Sequence, residues 1–124
     1  MTTDAALIDA AWRAGMMPER QLTVSEWADA HRMLPATSAE PGRWRTDRAP
    51  YLRGIMDALS VGSPLERVVF VKGAQLGGTE AGLNWLGYIV HNAPGLALLV
   101  MPSLDMVRRN TRTRIDPMIA LRSE

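Results

Sequence analysis

Lys72 is the single lysine of a 124-residue chain that also carries thirteen arginines, and it stands where the run VVFV (68–71) meets GAQLGGT (73–79). An apolar strand, a glycine loop, a hydroxyl residue and a helical pattern, in that order, are the parts of a phosphate-binding loop. Such a loop aims backbone N–H groups at an anion, at the start of a helix whose dipole also favours negative charge. Gly73, Gly77 and Gly78 allow the backbone to approach phosphate closely, with Ala74, Gln75 and Leu76 as the span between them. Thr79 carries the hydroxyl that ligates Mg²⁺ in these loops, and Gln75 offers an amide donor. The spacing departs from G-x-x-x-x-G-K-[ST]: Gly78 fills the lysine slot and Lys72 stands in the slot of the first glycine. From there a flexible lysine stem can fold back over bound phosphates. The alternative is a tight strand-to-helix turn beside a solvated lysine. Glu80 either orients water or Mg²⁺, or simply complements the positive end of the helix.

A second charged group lies further on. The pattern SLDMVRRNTRTR (103–114) puts Arg108 and Arg112 on one helical face, with Arg109 and Arg114 close by. Such a cluster either grips DNA phosphates or forms a solvated face.

The elements that must position these residues are readable in outline. Residues 4–14 have an alanine-rich helical pattern that stops near Gly15. TVSEWADAHRML has a capping-box signature, with Thr23 as N-cap and Glu26 three residues on. Val24, Trp27, Ala28 and His31 then share one face. Residues 35–50 are a loop punctuated by proline and glycine. Pro50 suits the first turn of a helix carrying Leu52, Ile55, Met56 and Leu59 at helical spacing. Residues 67–72 and 96–101 are continuous apolar runs, expected as strands buried on both faces of a parallel sheet. Between them a helix is expected from about Thr79 to His91, and Ser103 caps another. The alternation implies an α/β fold with a right-handed crossover, preceded by N-terminal helices. The expected division is 1–49, helices and loop, and 50–124, the first part of a P-loop domain. Two strands make a poor sheet, so this part is expected to be the front of a larger, incomplete one.

Composition narrows the class. Apolar residues make up 47% and charged residues 22%, which argues for a globular protein and against disorder. A net charge of +1 gives no global nucleic-acid signal. No apolar run is long enough for a membrane span, and the acidic N-terminus lacks the basic start of a signal peptide. With no cysteine, disulfides and thiolate metal sites are excluded, which fits a cytoplasmic location.

Four blocks, LTVSEWADAHRMLP, EPGRWRTDRAPYLRGIMDAL, VVFVKGAQLGGTEAGLNWLGY and LLVMPSLDMVRRNTRTRIDPMI, together resemble the N-terminal ATPase region of the GpA-type large terminase subunit of tailed bacteriophages. The resemblance runs from about residue 21 to 120. It implies an additional-strand P-loop ATPase that binds ATP and Mg²⁺ to move double-stranded DNA into a procapsid, with a small terminase subunit and a portal as partners. It implies that Lys72 is a Walker A lysine displaced to the front of the loop, with Gly77, Gly78 and Thr79 ending the phosphate cradle. Adenine recognition falls upstream, on Tyr51 and on Arg53 or Arg48. Trp44 and Arg45 either close over nucleotide or DNA, or pack on the surface. No later strand ends in the Asp-Glu pair of a Walker B motif, and no acidic cluster of a two-metal nuclease is present. The expectation is therefore an ATP-binding fragment of a packaging motor, in the bacterial host cell, whose endonuclease lies in a missing C-terminal part. Hydrolysis by the chain alone is not expected. The alternative is a non-catalytic remnant or protein-binding module in which the glycine loop is only a turn. A small P-loop kinase is disfavoured, because those keep lysine beside the final Ser/Thr.

Overall fold

The computed structural model describes residues 3–18 and 20–120. Its core is a three-helix cluster. α2 (Val24–His31) starts at the expected capping box: Glu26 N–H donates to Thr23 Oγ1 at 3.3 Å and Thr23 N–H to Glu26 Oε2 at 3.0 Å. α3 (Tyr51–Ala58) follows Pro50 and buries Leu52 and Met56. α4 (Gly78–His91) buries Ala81, Leu83, Asn84, Gly87 and Tyr88. Val24, Trp27 and Ala28 of α2 pack with Leu52, Met56, Ala81 and Tyr88 in one apolar cluster.

Polar contacts lock this cluster. The first N–H groups of α2 lack partners within their own helix. Val24 N–H donates to Ser60 Oγ (2.9 Å) and Ser25 N–H to Asp57 Oδ1 (3.1 Å), so the end of α3 caps the start of α2. Val61 N–H reaches the buried Tyr88 hydroxyl, and Trp27 Nε1–H donates to His91 Nδ1 at 2.9 Å. Gly87 meets the Trp27 ring edge-on, and a Cβ there would lie 2.3 Å from Cη2.

Across the first part of the 35–50 loop the chain makes a small antiparallel hairpin, pairing β1 (Met33–Leu34), just before the loop, with β2 (Gly42–Arg43) inside it. Gly42 pairs with Leu34 at φ 104°, a conformation that favours glycine. The Arg43 guanidinium donates to the carbonyls of Asp29 and Ala30, satisfying the end of α2. A 3₁₀ turn (Thr46–Arg48) then leads into α3.

The two apolar runs differ from expectation. Among the described residues the only sheet is β1–β2, and neither 67–72 nor 96–101 joins a ladder. Residues 68–71 alternate, with Val68 and Phe70 half-buried and Val69 and Val71 facing outward. Leu96, Leu98, Leu99 and Val100 are all exposed. Burial on both faces, expected from the unbroken apolar pattern, is therefore corrected for both runs. A strand is buried on two faces only when neighbouring strands and a layer on each side cover it, and no described element does so here.

The flanks are simpler. α1 (Asp4–Met16) is N-capped by Thr3, runs through Gly15 and buries no residue. Leu7, Ile8 and Trp12 are exposed along it. α5 (Leu104–Asn110) starts at the expected Ser103 cap and passes through a π-helical turn (Thr111–Ile115) into α6 (Asp116–Ala120). The widened turn has a local cause. Asp116 N–H bonds to the Thr111 carbonyl five residues back, and Pro117 has no N–H to offer the next one. No helix among the described residues is long and apolar enough to cross a membrane.

Candidate nucleotide-binding loop and its arginines

The glycine segment 73–79 closes into a loop on the N-terminus of α4, as the spacing predicts. Gln75 adopts φ 56°, a positive value that is uncommon away from glycine, and Gly77 adopts φ 78°. α1, α2 and α5 each start at a Thr or Ser side-chain cap, whereas α3, after Pro50, and α4, after Gly77, start with no side-chain cap. The first-turn N–H groups of α4 thus face the loop without a competing hydroxyl, the arrangement that suits an anion.

Lys72 does not extend away from this loop. Its stem lies across Gly78, where a Cβ would sit 2.2 Å from Cε and 2.6 Å from Cδ. The ammonium donates to the Gly73 carbonyl at 3.2 Å. The absence of a side chain at 78, in the slot where the usual motif has lysine, is what lets a lysine from the front of the loop occupy that space. Gly73, Ala74 and Leu76 are exposed along the rim, and Thr79 is exposed at the helix start.

Tyr51 is brought to the loop: its hydroxyl donates to the Leu76 carbonyl at 3.0 Å, and Leu52 behind it abuts Gly77. A cavity of about 400 Å³ opens here, lined by Trp44, Arg45, Arg48, Tyr51, Gln75 and Gly77 among others. Arg48 pairs with Glu40, and Arg53 turns away to Asp47. Trp44 is mostly buried, with Nε1–H donating to Thr46 Oγ1, so it is a packed wall of this cavity.

Glu80 is committed on both oxygens. Arg32 Nη2 donates to Oε2 at 2.7 Å and Arg114 Nη1 to Oε1 at 3.1 Å. Arg32 is only 4% exposed, and its Nη1 donates to the buried Asn84 Oδ1. Burial pushes the Arg32 pKa down from its ordinary value, and the Glu80 carboxylate opposes that shift. Sequence reasoning missed Arg32 and Asn84, because no local pattern marks a partnership 52 residues apart. Arg108, Arg109 and Arg112 are exposed, and Arg109 joins Thr79 and Arg114 along a further cavity of about 560 Å³.

Residues 38–124 match the family described as phage terminase large subunit gpA, ATPase domain. The chain is also 32% identical over 113 residues to a protein of Escherichia phage lambda described as terminase, large subunit. That alignment covers 90% of this chain but 17% of the phage lambda protein, so the chain spans a small part of its relative's length. No solved structure matches. The family match takes in the loop, Tyr51 and the arginine helix together, and on it the chain belongs to the phage terminase large subunit gpA ATPase-domain family.

Proposed function

We propose that residues 72–80 bind the phosphates of ATP with Mg²⁺, as part of the ATPase of a DNA-packaging motor. The observation that carries this reading is the Lys72 stem lying over Gly78 at the mouth of a loop with an uncapped helix start. Lys72 supplies the mobile cation, backbone N–H groups of residues 73–79 cradle the phosphates, and Tyr51 borders the space for the base. Among the described residues no group of three or more His, Cys, Asp or Glu is placed to hold a metal. Mg²⁺ is accordingly proposed to arrive with the nucleotide, with the Thr79 hydroxyl as its protein ligand. On this reading the fold is the front of a P-loop, additional-strand ATPase sheet, with 67–72 and 96–101 as its strands.

Lys72→Ala should weaken ATP–Mg²⁺ binding about ten- to hundredfold, the worth of a hydrogen bond to a charged group, as measured by calorimetric titration. Gly78→Ala is the sharper variant. The new methyl displaces the far end of the flexible Lys72 stem and meets Phe70 Cε1 at 3.3 Å, so the melting temperature should fall little while affinity falls toward that of Lys72→Ala. Wild type and both variants binding equally would leave the loop as a turn and remove this reading.

In the intact protein, ATP hydrolysis would drive duplex DNA into a procapsid in the bacterial host cytoplasm, with a small terminase subunit and portal as partners and an endonuclease elsewhere in the chain. Arg108, Arg109 and Arg112 are the proposed contacts to DNA phosphates. Replacing Arg108 and Arg112 with alanine should reduce the slope of log K against log salt by about 1.8, at roughly 0.9 per phosphate contact. An unchanged slope would leave these arginines as a solvated face. A second reading, a protein-binding module, is favoured by the exposed apolar residues of α1. It predicts no ATP binding at all, so the same titration separates the two.

A further inference from the structure

We infer that Arg114 is a phosphate-binding residue of the same nucleotide site, held beside the loop by Glu80 and handed to the terminal phosphates when they arrive. The inference rests on the reading of the loop as a nucleotide site. Three observations carry it. Arg114 lines one cavity with Gly78 and Thr79, at the end of the loop, and a second with Arg32 and Glu80. It is held at the residue next to Thr79, with Nη1 at 3.1 Å from Glu80 Oε1.

The third observation is the asymmetry of the two arginines on Glu80. Arg32 is buried, bridges Glu80 and Asn84, and is fixed in place. Arg114 is 45% exposed and makes a single contact to the other oxygen. Exposed pairs of this kind are weakly held. When Arg114 leaves, Glu80 keeps a full counter-charge from Arg32, so the transfer strands no carboxylate. A phosphate offers Arg114 a more highly charged acceptor with more oxygens, in the planar fork geometry that guanidinium prefers. The π-helical turn widens the helix at Thr111–Ile115, the segment that contains Arg114. Arg112, in the same segment, lines none of this cavity.

The test compares ATP with AMP on wild type, Arg114→Met and Arg114→Lys, by titration in Mg²⁺ at low salt. Arg114→Met should lose about tenfold or more in ATP affinity and change AMP affinity by less than about twofold, since a charge-assisted contact is lost only at the terminal phosphates. Arg114→Lys should recover part of the ATP loss, a point charge replacing a fork. Melting temperatures should match across all three, because the pair broken is exposed. Wild type binding ATP with Arg114→Met unchanged overturns the assignment and leaves the loop reading intact. An equal loss for ATP and AMP overturns it too, as that is the mark of a general structural effect. No ATP binding by wild type removes the loop reading and this one with it.

Discussion

Arg32→Met should lower the unfolding free energy by about 2–4 kcal/mol in urea titration, the largest loss expected of any charge substitution in the chain. Methionine keeps most of the apolar stem, so the loss falls on the polar head. Asn84 is fully buried, and its Oδ1 would be left without its donor. Glu80 would keep only the exposed Arg114. Breaking a buried pair from one side typically costs about 3–5 kcal/mol, and the partial exposure of Glu80 reduces that figure here. Two controls sharpen the measurement. Arg13→Ala, which breaks the exposed Asp9–Arg13 pair on α1, should change stability by less than about 0.5 kcal/mol. The double variant Arg32→Met/Glu80→Gln should lose less than the sum of the two single losses, because both act on one contact. A change under about 0.5 kcal/mol for Arg32→Met would mean that solvent reaches this cluster and the buried bridge is not structural.

Gly87→Val should cost about 2–3 kcal/mol, which in a domain of this size lowers the melting temperature by about 8–12 °C. Ordinarily a glycine inside a helix is a liability, and replacing it gains a few tenths of a kcal/mol or more. Here the Trp27 ring occupies the space, with Cη2 at 2.3 Å and Cζ3 at 2.9 Å from the new Cβ. The ring cannot slide away cheaply, because its Nε1–H is bonded to His91 at the far end of α4. α2 and α4 would have to separate, opening the core at Ala28 and Ala81. Gly82→Ala is the matching control: its Cβ meets nothing within 4 Å, so the ordinary helix gain should appear. If Gly87→Val melted with wild type, the close approach of these helices would be wrong.

Both predictions concern contacts that the sequence did not announce, whereas much else was legible. The capping box at Thr23 and Glu26, the Ser103 cap, Pro50 before α3 and the glycine loop before α4 depend on residues within a turn of one another. Local chemistry decides them. The Arg32–Glu80–Asn84 bridge joins residues about fifty apart, and nothing near Arg32 distinguishes it from twelve other arginines. The exposure of the apolar runs 67–72 and 96–101 was hidden for a different reason. Their composition reports an affinity for burial, but covering them requires elements that the described residues do not supply. The β1–β2 hairpin was invisible because two-residue strands are too short for any alternation to register. The π-helical turn had a visible contributor in Pro117, although the usual expectation of proline there is a kink or a stop. In the loop itself, spacing alone left Lys72 undecided between two roles. Its stem over Gly78 is the observation on which the proposed phosphate role rests.

The indoles carry a consequence for spectroscopy. Trp27 is 3% exposed and bonded to an imidazole, while Trp12 on α1 is 68% exposed. With Trp44 also mostly buried and Trp85 39% exposed, the emission should spread from a blue component shared by Trp27 and Trp44 to a red one from Trp12 on the solvated helix. Excitation at the long-wavelength edge, with iodide as a collisional quencher, would silence the second and leave the first as a label-free gauge of whether the helical cluster is intact.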